Sequence, residues 1–113
     1  MEIIDEVFLG TTVKIAANAI GTPSVPLSEC GFELIVWTAP KNDYHEAVKD
    51  NAIVLSKEQC IKQSDDSYLA EIPTSTLGKG YIICRMVMRI PDSDCAAGFR
   101  QEVLQGLTNI KVI

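Results

Sequence analysis

Residues 81–90, YIICRMVMRI, alternate with a period of two over ten positions. A helix repeats every 3.6 residues, so this run reads as a strand. Ile82, Cys84, Met86, Met88 and Ile90 share one wholly apolar face, while Tyr81, Ile83, Arg85, Val87 and Arg89 share a face that is part apolar and part basic. An entirely apolar sheet face has to be covered by a second layer, so this stretch commits the chain to a packed sheet.

The same period recurs along the chain. Val13 and Ile15 oppose Lys14 in a strand predicted over about 11–18. In FELIVWTAP, Phe32, Leu34 and Val36 form a core face, and Ile35 and Trp37 on the opposite face imply that it too is partly covered. AIVLS reads as a short strand, and CIKQSDDSYLAEI as a hairpin turning at SDDS with Tyr68, Ala70 and Ile72 inward. The Pro- and Gly-rich GTPSVPLSECG is a loop, with Leu27 as an inward anchor. DYHEAVKD reads either as a helical turn or as a strand of mixed polarity. PTSTLGKG suits a single helical turn or a tight crossover, with Leu77 buried and Gly78 or Gly80 at positive φ. RQEVLQGLTNIKVI supplies one or two final strands, with Gly106 as a bulge or break.

These elements amount to an all-β, immunoglobulin-like antiparallel β-sandwich of about seven strands. The spacing of cysteines and tryptophan found in antibody domains is absent, so only the architecture is implied. Residues 10–113 form one β-sandwich domain, and residues 1–9 form either an edge strand or an arm laid on a neighbour.

Composition narrows the function classes. A net charge of −5 opposes binding to a phosphate backbone, so no nucleic acid is expected. No apolar run approaches the ~20 residues of a membrane helix, and the N-terminus lacks a basic, then apolar, leader, so assembly in a cytoplasm without membrane contact is predicted. The four cysteines contain no C-x-x-C pair and His45 is the only histidine, so the thiols read as free and mostly buried, not as zinc ligands. The run from Asp92 to Asp94 resembles the start of a calcium loop, but Ala97 and Val103 stand where its glycine and glutamate belong. Aspartates in such positions more often cap turns. No nucleophile–base pair or phosphate-cradling glycine motif can be assembled, so neither catalysis nor a cofactor is predicted.

What remains is a surplus of apolar and cationic side chains suited to contact with another protein. Ile3, Ile4, Val7 and Phe8 precede the first clear strand, Trp37 stands on a half-covered face, and Arg85 and Arg89 alternate on the basic one. These seven are the candidate partner-interface residues. The arginines either face water with their stems over Tyr81 and Val87, or meet acids of a partner.

The order of signals is more specific than any one of them. A Gly-Pro loop ending in Leu27-Ser28 precedes the strand at Phe32, an acidic hairpin with Asp66 and Tyr68 precedes Leu77-Gly78-x-Gly80, and a long strand ends in Ile-Pro91-Asp92-x-Asp94. Gly98, Arg100, Glu102 and Val103 then open a final strand. Over about residues 10–113 this pattern resembles small immunoglobulin-like structural proteins of tailed bacteriophages of gut bacteria, including crAss-like phages. The resemblance implies a non-enzymatic virion protein, most simply an auxiliary capsid or decoration subunit whose partners are the major capsid protein or other virion proteins, with homo-oligomerisation also open. It also admits a tail, baseplate or fibre-docking module. A carbohydrate-binding module, the reading from another class, would require an exposed aromatic platform, for which Trp37 is the candidate.

Overall fold

The computed structural model describes residues 4–18, 26–43 and 45–113; Ile3 and most of the loop around Pro23 lie outside the described residues. The described residues form eight strands: β1 (Asp5–Val7), β2 (Thr12–Asn18), β3 (Gly31–Ala39), β4 (Ile53–Ser56), β5 (Ile61–Ser64), β6 (Ser67–Pro73), β7 (Gly80–Pro91) and β8 (Phe99–Val112). Between β6 and β7 lies a single helical turn, α1 (Thr74–Leu77). The strands form a five-stranded sheet in the order β1-β8-β7-β3-β4 and a three-stranded sheet in the order β2-β6-β5. This is the interleaved connectivity of an immunoglobulin-like sandwich. One pair departs from an antiparallel arrangement, because β1 runs parallel to the end of β8.

The alternation places the core as expected. Phe32, Leu34 and Val36 of β3 and Ile82, Met86, Met88 and Ile90 of β7 face Val13, Ile15 and Ala17 of β2 and Tyr68, Ala70 and Ile72 of β6 in one buried cluster. Leu27, in a short 3-10 turn before β3, and Leu77, the last residue of α1, both join this cluster. The rings of Phe32 and Tyr68 meet edge-on, with centroids 5.1 Å apart. Lys57 crosses Tyr68 and donates from Nζ to the carbonyls of Ser28 (2.5 Å) and Cys30 (2.7 Å), which ties the turn before β3 to the turn after β4.

Three local expectations needed correction or a choice. Among the described residues of DYHEAVKD, which leave out Tyr44, none lies in a helix or strand. Residues 40–43 and 45–52 instead run along the outer face of the larger sheet, where Gln105 donates to the Glu46 carbonyl and Asn42 to the side chain of Asn109. Beneath them Trp37, Ala39 and Ile83 form a second buried cluster, flanked by Ala52 and Leu107. Gly106 is not a break, since it pairs in register with Cys84. The irregularity lies further on, between the Ile83–Leu107 and Tyr81–Lys111 pairs, where Asn109 adopts φ +58. Asparagine tolerates that conformation better than most residues, and Thr108 Oγ1 steadies the bulge by donating to the Ile82 carbonyl. Finally, Gly78 and Gly80 both take positive φ, +83 and +137.

Candidate interaction surfaces

In each of the two turns one aspartate carboxylate, that of Asp66 or Asp92, accepts a backbone amide, while the Asp65 carboxylate pairs with Lys62 at 3.1 Å. Asp92 accepts the amide of Asp94 and the guanidinium of Arg100, which hold its carboxyl below the usual carboxylate range. Arg100 bridges on to Glu102 at 3.5 Å. Asp66 accepts the amide of Leu27, and the Asp65 carbonyl accepts that of Ser28. Most of the residues quoted for the phage resemblance therefore hold turns or core. Among the described residues, no group of three or more His, Cys, Asp and Glu side chains is arranged to hold a metal. The thiols of Cys30, Cys60 and Cys84 are pushed up by burial, that of Cys84 to about 11. His45 is exposed.

The candidate interface residues do not form one patch. Ile4 is half-buried and Val7 packs against the core, because β1 is an edge strand on β8. Phe8 is different. It is 75% exposed, yet it sits in a turn pinned on several sides. Leu9 donates to the Ile113 carbonyl, Thr11 to that of Phe8, and Gly10 to Thr74 Oγ1. Leu9 and Ile113 are exposed beside it, which makes an apolar tip on a firm support.

Trp37 is 0% exposed, which corrects its assignment both as a surface contact and as a sugar-stacking platform. It is buried with Ala39 and Ile83, Ala52 packs against that cluster, and the Arg85 guanidinium lies 5.7 Å from its ring centre. Arg85 also donates twice to Gln105 Oε1, at 2.9 and 2.7 Å, so it is committed to its own sheet. Arg89 is exposed, with its Nε 3.3 Å from where a Cβ on Gly31 would stand. It lies near the far end of β7 from the tip, ~30 Å away by strand rise.

Two further surfaces were missed by pattern reading. The inner face of β8 extends past β2, the edge of the smaller sheet, leaving an open cleft of about 180 Å³ floored by Leu34, Cys84 and Met86 and walled by Ile15 and Leu104. On the outer face, Val103 of β8 and Val54 of β4 are 53% and 52% exposed, with Val87 and Ile35 half-buried between them. The adjacent Val103 and Leu104 carried the signal. In a strand, neighbours point to opposite faces, so a doubly apolar step leaves one of them outside unless both faces are covered.

Comparison with protein-family models, with curated proteins and with solved structures finds no match to this chain.

Proposed function

We propose that this protein is a non-enzymatic virion subunit, an auxiliary capsid or decoration protein assembled in the host cytoplasm onto the phage shell. One observation supports this reading beyond the sequence resemblance. The Phe8 tip offers a large aromatic side chain to solvent on a turn held by backbone hydrogen bonds at Leu9, Gly10 and Thr11. A rigid exposed aromatic loses little conformational entropy on binding, which suits it to anchor a small contact. Repeated over a shell lattice, a modest contact per copy becomes durable.

Co-sedimentation with purified capsids tests the proposal. Wild-type protein should pellet with the shell, and Phe8→Asp should weaken binding by about tenfold or more. Protein that stays in the supernatant at every concentration would sink the decoration reading. Quantitative mass spectrometry of virions separates it from a tail or baseplate module, which would be present in few copies instead of many.

A further inference from the structure

The outer face of the larger sheet carries a pattern that fits a second copy of itself. The register aligns Gln101, Arg89 and Gly31 in one row, Val103, Val87, Glu33 and Ser56 in the next, and Gln105, Arg85, Ile35 and Val54 in the third. The centre is apolar at Val87 and Val103. Among the described residues, neither Arg89 nor Glu33 has an ion-pair partner within its own chain. Gly31 has no side chain, and the Arg89 guanidinium lies beside the space this leaves.

We propose that this face pairs with the same face of a second copy about a twofold axis. The axis runs across the strands, between the Arg89–Gly31 row and the Val87–Glu33 row. A rotation about it exchanges the two rows, so Glu33 of each copy sits over Gly31 of the other, where the guanidinium of Arg89 meets it. The symmetry makes two such ion pairs, with Val87 of each copy set over the Arg89 stem of the other and Val103 over its Gln101. Arg85 takes no part, because Gln105 and Trp37 hold it. Charge selects this occupant. The whole chain carries −5, yet this face offers one acid, Glu33, and one uncommitted base, Arg89, so it complements itself where the net charge of the chain is repulsive.

Area sets the strength. From strand rise and spacing, the three rows from Gln101 to Gln105 across at most four strands project to about 300 Å². A stable complex buries about 800 Å² per partner, so the dimer is weak and concentration-dependent. The inference stands apart from the virion reading, since the face is remote from the Phe8 tip.

Sedimentation equilibrium at low salt, from micromolar to near-millimolar protein, gives the test. Wild type should show monomer–dimer exchange that weakens as salt is added. Arg89→Glu and Glu33→Arg should each weaken the dimer at least about tenfold, because each sets like charges against one another twice. The double variant Arg89→Glu/Glu33→Arg should return to within about threefold of wild type, since it exchanges the charges without removing them. Thermal melts would establish that each variant is folded. A wild type that stays monomeric, a dimer indifferent to both single changes, or a double variant no better than the singles would each overturn the proposal.

Discussion

The carbonyl of Leu77, at the end of α1, accepts two hydrogen bonds from side chains far away in sequence. Thr38 Oγ1 donates at 2.8 Å and Asn51 Nδ2 at 3.0 Å. Thr38 is buried on β3 and Leu77 is buried in the core, so this acceptor joins strand, helical turn and outer segment at one point. Helix ends leave carbonyls without an internal partner, and such a group in the interior is costly when unpaired. Thr38→Val keeps the branched shape and the strand preference but loses the donor. Asn51 still satisfies the carbonyl, so the loss should be about 1 kcal/mol, the net worth of one hydrogen bond. Asn51→Ala should cost about 1 kcal/mol or less for the same reason. With both changes the carbonyl is stranded, which adds a desolvation penalty of about 1–3 kcal/mol beyond the sum. The chain has one tryptophan, fully buried, so its fluorescence reports unfolding in urea directly. The midpoint should move while the slope stays constant. Strictly additive single and double variants would refute the argument, because they would mean that water or another group replaces the lost donors.

Two further outcomes follow from local geometry. Gly80→Ala should destabilise the fold by at least about 2 kcal/mol in thermal or urea unfolding, because its Cβ would lie 2.8 Å from the Ala39 carbonyl oxygen on a backbone with φ +137; a variant as stable as wild type would contradict the strain. The Cys84 thiol, raised from 9.0 to about 11, holds its proton in the folded chain after the unfolded chain has released it. Its contribution to stability is therefore fully present below pH 9 and is lost as pH rises towards 11, by an amount on the order of 2–3 kcal/mol. Urea titrations across that range should show the decline, and Cys84→Ala should flatten it.

The seven interface candidates show how far pattern reading reaches. Val7, Phe8 and Trp37 are all large and apolar, and nothing local distinguishes them. Val7 packs against the core because β1 pairs with the last residues of the chain, a contact of more than a hundred residues in sequence separation. Phe8, next to it, points out from the turn that ends that pairing. Trp37 is buried with Ala39 and Ile83, and Ala52, which packs against them, comes from a segment with no periodicity to announce where it lies. Arg85 and Arg89 looked equivalent on one face, yet Gln105 stands opposite the first and Gly31 opposite the second.

The sequence by itself determined which residues face inward along each strand, and hence the sandwich. A period of two fixes the side-chain direction from local geometry alone, and burial of the resulting apolar faces leaves few other architectures. The tertiary structure decided which faces stay open. That depends on how many strands each sheet has and where the irregular segment crosses. Five strands over three leave the inner face of β8 as a cleft, and on the outer face Glu46 and Ala52 lie against Gln105 and the Trp37 cluster while Val103 and Val54 stay exposed. Both outcomes rest on contacts between distant segments, which no local window of the chain contains.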